Sequence, residues 1–323
     1  MNETDLQLVV DCASLAPSVH NTQPWSFVER AGGLEVRADR DRRLDYLDPD
    51  TRQLHISCGA AIEFARLAVR TLDLACEVQL LPDPQDQDLL AVLAVGPAET
   101  ATPLDHALVE AMPRRYTDRQ PYSDEPLPAT LLAELRVAAE AAGAWVKVIQ
   151  QTDDRVALAT ILTDAEEIEA ADPAYAEELA RWTHEKAEEE GLSERAVRDD
   201  WPEGRVSDMP LRDFTGHGSH PHPGAEAPRV VERDTLALIG TSKDEPAAWL
   251  CTGRALAQVL LRATVANVSS QPLGPATDFA ETRARVRREL KLVGHPQFLL
   301  RLGYGSDAPH TGRRPATQSV TRP

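Results

Sequence analysis

The sequence has few cysteines and no long apolar run. The four cysteines among 323 residues show no CxxC or paired spacing, so their apolar surroundings predict buried, reduced thiols (Cys12, Cys58, Cys76 and Cys251). No apolar run approaches the roughly 18 residues that a membrane-spanning helix needs. The start, MNETDLQLVV, has neither the basic region nor the apolar region of a signal peptide. These absences predict a cytosolic protein without a membrane partner.

Positive charge is also scarce. The chain carries 34 Lys and Arg against 52 Asp and Glu, a net charge of −18, and a field of that sign repels nucleic acid. Hydrophobic residues make up 42%, enough for a substantial core. At roughly 150 residues per domain, the length favours about two structural units. Any anionic ligand must therefore be held by a local group of arginines.

Hydrophobic periodicity predicts alternating helices and strands. Helices are expected over 5–16, 52–75, 130–142 with Thr130 as N-cap, and 248–267. Strands are expected at WSFVE, LEVRAD, CEVQLLP, LLAVLAVG, AWVKVIQ and FLLRLGYG. The pattern predicts an α+β fold in which antiparallel or mixed sheets pack with helices.

The two long apolar helices resemble each other. With Gly59 laid on Gly253, Leu67 meets Leu261 and Asp73 meets Asn267 at the helix exit. Each helix is followed by a similar buried strand. We interpret this as an internal duplication, a fused pseudo-dimer with a first half at 1–112 and a second half at 113–323. A chain that already contains its dimer interface is expected to be a monomer.

A long segment interrupts the second half. Residues 164–203 hold 15 acidic and 4 basic residues, and AYAEELARWTHEKAEEE is expected to be helical. Long, weakly structured segments in compact proteins are lids, binding loops or disorder. Apolar anchors favour a lid at about 171–232 over a solvated helix with a disordered tail (Trp182, Trp201, Met209, Leu211 and Phe214). An HxxHxH run is interpreted as incidental rather than as a metal site (His217, His220 and His222).

Two arginine clusters stand out against the acidic background. PRRYTDRQPY at 113–122 holds the first, and TGRRP in a C-terminal tail at about 305–323 holds the second (Arg114, Arg115 and Arg119; Arg313 and Arg314). The planar guanidinium suits phosphate oxygens, so together the clusters could clamp one phosphate monoester. For either cluster alone, pairing with surface carboxylates is the simpler interpretation.

A polar loop, APSVHNTQPW, follows the first helix. Its short polar side chains and backbone N–H groups could bind an amide-bearing heterocycle (Ser18, His20, Asn21 and Gln23). The same residues could instead form an Asx-type turn that satisfies only its own backbone.

These segments resemble the nitroreductase family. APSVHNTQPW is similar to its flavin-contacting loop, and RRYTDR to its phosphate segment. The Acg-like branch, with two nitroreductase halves in one chain, gives the strongest resemblance. It is carried also by DRDRRLDYLDPDTRQLHISCGAA, AYAEELARWT, SQPL and HPQFLLRLGYG, followed by RRP, and so covers nearly the whole chain.

The resemblance implies FMN bound between two halves. The two arginine clusters would meet its phosphate and ribityl chain, and the PSVHNTQPW loop would contact it from the opposite half. A further loop would lie beside the isoalloxazine (Ser270, Gln271, Pro272, Leu273 and Gly274). Many relatives have a glutamate where this chain has Gly274, so a nicotinamide-positioning role there is in doubt. Each motif occurs once, which predicts one FMN per chain.

Two functions are compatible with these implications. In the first, hydride passes from NAD(P)H through flavin N5 to a nitro compound, a quinone or another small electron-poor acceptor. In the second, the lid covers the flavin, and the protein binds or stores FMN with little turnover. A non-flavin interaction protein would leave the five arginines without a role. The sequence does not identify the acceptor or distinguish NADH from NADPH, and it names no catalytic side chain.

Overall fold

The structure is a computed structural model that describes residues 1–184, 189–193, 205–210, 230–232, 234–305 and 311–321. It has the mixed α+β character that the sequence predicts. The described helices are Glu3–Ser14 (α1), Arg52–Arg70 (α2), Pro103–Ala111 (α3), Ala129–Ala141 (α4), Thr152–Ala171 (α5), Pro173–Arg181 (α6), Pro246–Val265 (α7), Pro275–Asp278 (α8) and Ala280–Glu289 (α9).

The strands form two main sheets and two short pairs. They are Trp25–Arg30 (β1), Gly33–Ala38 (β2), Leu74–Leu80 (β3), Leu89–Ala98 (β4), Trp145–Ile149 (β5), Thr183–His184 (β6), Leu192–Ser193 (β7), Arg205–Ser207 (β8), Val230–Glu232 (β9), Thr235–Thr241 (β10), Ser269–Pro272 (β11), His295–Gly303 (β12) and Val320–Thr321 (β13). One sheet has the order β13-β1-β2-β4-β3 and the other β11-β12-β10-β5. Apart from β13, every neighbour in these two sheets is antiparallel.

The C-terminal tail connects the two sheets. Strand β12 belongs to the second sheet, yet β13 pairs in parallel with β1 of the first, placing Phe27 opposite Val320. The Phe27 N–H donates to the carbonyl of Ser319 at 2.7 Å. The tail segment that carries Arg313 and Arg314 therefore lies between a strand of one sheet and a strand of the other.

Helices α2 and α7 pack against each other in the centre. Their closest approach is at Gly59 and Gly253, where a Cβ on Gly253 would lie 1.9 Å from the carbonyl oxygen of Ile56. Only glycine allows two backbones to come this close. Both helices are buried along most of their length, α2 in the core of the first sheet and α7 between the two cores.

Several local predictions are wrong. Helix α4 begins at Ala129 with Pro128 as N-cap, so Thr130 is inside the helix and does not cap it. The helix expected over 174–190 ends at Arg181, because Trp182 turns into an apolar cluster with Tyr175 and Leu47, and Thr183–His184 pairs with Leu192–Ser193. Helices α3, α5 and α9, and strand β10, were not predicted. All four cysteines are free; Cys12 and Cys58 are buried, whereas Cys76 and Cys251 are only half-buried.

Candidate functional site

A deep cavity lies between the elements of the two sheets. It encloses about 1180 Å³ of space between the atoms, part of it open to solvent. Its walls come from the loop after α1, the start of α2, residues 113–122 (the arginine segment), α5, the loop after β11 and the C-terminal tail. Ten of the fourteen residues predicted for the site line it (Ser18, His20, Asn21, Arg115, Arg119, Gln271, Pro272, Leu273, Gly274 and Arg313).

The loop 18–23 has an unusual backbone conformation. His20, Asn21 and Gln23 have φ values of 49°, 54° and 51°, in the left-handed region that residues other than glycine rarely adopt. Such a conformation costs on the order of 1 kcal/mol or more per residue, and these costs concentrate at binding sites. The loop is stabilised by the Gln23 N–H, which donates to Ser18 Oγ at 2.9 Å. The loop therefore holds His20 and Asn21 in the cavity wall.

Two arginines at the cavity lack a charged partner. None of the described carboxylates forms an ion pair with Arg115 or Arg313, and the buried Nε atom of each has no hydrogen-bond partner. Burial, and after it the charge of Arg313, lowers the pKa of Arg115 to about 9. Burial also lowers the pKa of Arg313 to about 10. Adjacent cations that carry a desolvation cost and have no carboxylate partner are suited to binding an anion.

A buried network fixes the arginine segment. The Asp118 N–H donates to the carbonyl of Ser270 at 3.0 Å, which joins this segment to β11. The guanidinium of Arg301 lies 4.0 Å from the centre of the Tyr122 ring, donates to the carbonyl of Gln120 and pairs with Asp234 at 3.0 Å. Arg301 is fully buried, so the segment beside Arg115 is held from within the core.

Four of the predicted site residues lie outside the cavity wall. Arg114 is exposed, and its Nε donates to the carbonyl of Glu110 on its own helix at 3.4 Å. Ser270 is buried behind the wall at the start of β11. Gln23 and Arg314 bind each other: Gln23 Oε1 accepts from the Arg314 N–H at 2.9 Å, and the Arg314 guanidinium donates to the Gln23 carbonyl at 2.9 Å. This pair joins the tail to the loop 18–23.

A short stretch of the insertion, residues 189–193, crosses the loop 18–23; we call it the strap. Asn21 Nδ2 donates to the carbonyl of Gly191 at 3.1 Å, and Gln23 Nε2 donates to that of Glu189 at 2.8 Å. Arg42 pairs with Glu190. Leu192 and Pro210, from two described pieces of the insertion, line the cavity. Two side chains predicted to contact a cofactor therefore also hold the strap.

Three polar cavity residues were not predicted from the sequence. Gln53 lies at the start of α2, Glu166 on α5, and Asp278 at the end of α8. Gln53 Nε2 donates to Asp278 Oδ1 at 2.7 Å. Gly274 has no side chain, and a Cβ at this position would lie 2.6 Å from Asp278 Oδ2. The Asp278 carboxylate therefore occupies the space that a side chain at position 274 would fill. No local pattern links residues so distant in the chain.

The described residues lack the features of two other kinds of site. Within the described ranges, no group of three or more His, Cys, Asp or Glu side chains could hold a metal ion. The run of His217, His220 and His222 lies outside these ranges, as do Trp201, Leu211 and Phe214. No described helix is both long enough and apolar enough to cross a membrane.

Relatives of the chain point to one family. Rv3131 of Mycobacterium tuberculosis H37Rv, provisionally named an NAD(P)H nitroreductase, is 32% identical over 327 residues, covering 98% of this chain and 91% of its own length. The chain belongs to the nitroreductase family. The acg protein of the same organism, also a provisional NAD(P)H nitroreductase, is 28% identical over 96% of this chain and 93% of its own length, which places this nitroreductase in the Acg-like branch.

The fold comparison agrees with this family. A crystal structure of a provisionally named nitroreductase from Anabaena variabilis aligns over 95% of this chain and 90% of its own, with a TM-score of 0.52 and 11% identity. At that identity the likeness concerns the nitroreductase fold alone. No family model matches the chain.

Proposed function

We propose that this nitroreductase-family chain binds FMN in the cavity and transfers hydride from NAD(P)H to a small electron-poor acceptor. The observation that carries the proposal is the pair of arginines at the cavity, the buried Arg115 and the half-buried Arg313, whose buried Nε atoms lack partners. A phosphate monoester dianion would supply the missing counter-charge, and the planar guanidinium groups suit its oxygens. Arg119, also in the wall, would extend this phosphate end.

The rest of the cavity fits a flat, partly polar ring system. Gln271 is buried, and its Oε1 has no hydrogen-bond partner, so it offers an acceptor to a ring N–H. Leu162, Leu256, Leu273 and Phe298 supply apolar contact and exclude water. FMN would contribute the hydride chemistry itself, while the chain binds and orients the ring.

Three observations support the proposal that the chain is a duplicated nitroreductase unit. Four strands of each sheet follow one spatial order, in which the first strand along the chain is followed by the second, the fourth and the third: β1-β2-β4-β3 and β5-β10-β12-β11. Gly59 and Gly253, aligned from the sequence alone, meet at the α2–α7 contact. Asp73 and Asn267 leave the two helices with φ values of 58° and 56°. The insertion would then replace the short turn between β1 and β2, and one FMN would bind between the halves.

The strap supports a second candidate, an FMN-binding protein with restricted turnover. Leu192 and Pro210 contribute to the cavity wall, and hydrogen bonds from Asn21 and Gln23 hold the strap there. A closed insertion would exclude a dinucleotide from the ring. A mobile one would admit it, as lids do in many enzymes.

A visible spectrum of the purified protein, recorded without oxygen, tests both candidates. About one FMN per chain is expected. Bleaching after addition of NADH or NADPH supports the oxidoreductase, whereas a flavin reduced by dithionite but not by either nucleotide supports the storage protein. A protein that stays colourless after incubation with FMN would overturn both.

A further inference from the structure

The cavity contains a second polar site besides the arginine pair. Gln53 and Asp278 lie at its wall, 2% and 7% exposed, and are joined by the 2.7 Å hydrogen bond from Gln53 Nε2 to Asp278 Oδ1. The other amide atom, Gln53 Oε1, is buried and has no hydrogen-bond partner. A buried acceptor left unsatisfied costs about 1–3 kcal/mol, so the fold keeps it at a cost.

The orientation of the Gln53 amide follows from its chemistry. A carboxylate only accepts hydrogen bonds, so the amide atom that faces Asp278 must be the NH₂ group. A flipped amide would place two oxygens against each other. Asp278 thereby fixes Gln53 Oε1 as an acceptor, and the polarity of this part of the wall cannot adapt to the ligand.

The position of Asp278 is itself constrained. The Asp278 N–H donates to the carbonyl of Gly274 at 2.8 Å, and the Arg283 guanidinium donates to the Asp278 carbonyl at 3.2 Å. The absence of a side chain at Gly274 leaves room for the carboxylate. On the Gln53 side, the Asp48 carboxylate accepts from the Gln53 N–H at 2.8 Å. Both partners are therefore held by backbone contacts on either side of the cavity.

We infer that the Gln53–Asp278 pair binds a hydrogen-bond donor, an N–H or O–H group, on the reducible second substrate. This inference rests on the proposed function, because it assumes that FMN occupies the arginine end. Glu166, a further carboxylate in the wall, adds negative charge to this part of the cavity. The site thus selects neutral or cationic acceptors that carry a donor, and it disfavours carboxylates. Where a site is built to bond a donor, an analogue without it is strongly rejected.

The test measures binding rather than turnover. The oxidised FMN-loaded protein is titrated, without nicotinamide, with 4-nitrobenzamide and with N,N-dimethyl-4-nitrobenzamide, which lacks the amide N–H. The perturbed flavin spectrum reports each Kd. We expect the primary amide to bind about tenfold or more tightly than the dimethyl amide. Gln53→Met removes the acceptor, and Asp278→Asn frees the Gln53 amide to flip. In both variants the ratio of the two Kd values should fall below about threefold.

Gln7→Met is the matched control. Gln7 Nε2 donates to Asp11 Oδ1 at 2.8 Å, the same kind of pair on the exposed face of α1. This variant should keep the full ratio. A ratio near one in the unmodified protein, or an unchanged ratio in Asp278→Asn, would overturn the inference alone. A tenfold loss of FMN affinity in either cavity variant, with the amide ratio unchanged, would also overturn it, since the pair would then bind the cofactor. Failure of the unmodified protein to bind FMN would overturn the proposed function as well.

Discussion

Neighbouring residues in the arginine segment have opposite environments. Arg114 is exposed and bonded to its own helix, whereas Arg115 is buried at the cavity and close to Arg313. A buried charge without a counter-ion is costly and persists where a ligand compensates it. The sequence predicts the same phosphate-binding role for both arginines, but their different burial assigns that role to Arg115 and not to Arg114.

The first prediction compares these two neighbours. Arg115→Met should weaken FMN binding by at least tenfold, because it removes the buried member of the two cations at the phosphate end. Arg114→Met should change it less than twofold. Fluorescence quenching of FMN on titration with the apoprotein measures both, and riboflavin, which has no phosphate, should bind the two variants alike.

The stability of the apoprotein provides the control for this comparison. Removing an unpaired buried charge should leave the free energy of unfolding of Arg115→Met no lower than that of the unmodified apoprotein. Denaturant unfolding without FMN measures it. A loss of stability of several kcal/mol would show that Arg115 has a structural role that its contacts do not suggest.

A second residue-scale prediction concerns pH. Burial raises the pKa of Asp48 to about 6, even though its carboxylate accepts from the N–H groups of Gln53 and Leu54. The native state therefore holds a proton that the unfolded chain has released at intermediate pH. The contribution of Asp48 to stability is highest when it is protonated and falls as pH rises from about 4 to 6.

Asp48→Asn tests this linkage. The neutral amide lacks the titration, so the stability of the variant relative to the unmodified protein should increase by about 2 kcal/mol between pH 4 and pH 7. Urea unfolding at both pH values gives the difference. A pH-independent difference would show that Asp48 titrates as it does in the unfolded chain.

At the scale of elements, a single substitution at Asn21 removes a hydrogen bond that holds the strap. Asn21 Nδ2 donates to the carbonyls of Gly191 and Gly312. Asn21→Gly keeps the positive φ and removes both hydrogen bonds. We expect amide exchange in 189–193 to become at least fivefold faster and FMN to dissociate faster. Hydrogen-exchange mass spectrometry measures the first; an unchanged rate would indicate that the remaining contacts, the Gln23–Glu189 hydrogen bond and the Arg42–Glu190 ion pair among them, suffice to hold the strap.

A second element-scale prediction concerns the α2–α7 contact. Gly253→Ala would place a Cβ 1.9 Å from the carbonyl oxygen of Ile56, so the helices must separate. Overpacking of this kind costs about 1–3 kcal/mol or more. Gly96→Ala, at the exposed end of β4, should cost less, because the nearest atom to its Cβ would be the Ala75 Cβ at 3.0 Å, with the backbone of Ala75 at 3.7 Å or more. Thermal unfolding of both variants gives the comparison.

These elements also show what the sequence could predict. Periodicity predicted α2 and α7 because their apolar faces are long, and the alignment of Gly59 with Gly253 matches the point where they meet. Helix α9, AETRARVRRE, was missed because it is strongly polar and only Thr282 and Val286 are buried. The Gln53–Asp278 pair was missed because 225 residues separate its members, and only the tertiary fold brings them together.

At the scale of the whole molecule, the tail and the central helices determine the expected assembly. Strand β13 completes the first sheet after β12 has ended in the second, and α2 packs on α7 within one chain. In the proposed duplicated arrangement, the contacts that join the two subunits of a dimer are intramolecular. A net charge of −18 also opposes self-association at low salt.

The protein should therefore be a monomer that binds one FMN. Light scattering coupled to size exclusion should give a mass near 35.4 kDa that does not change on dilution, with a flavin-to-protein ratio near one. The internal interface and the charge repulsion can be distinguished by raising the salt concentration, which screens the charge. A chain with a fully internal interface stays monomeric at high salt. A dimer that loses its FMN as it dissociates on dilution would contradict the fused arrangement, since each chain would then need a partner to complete its site.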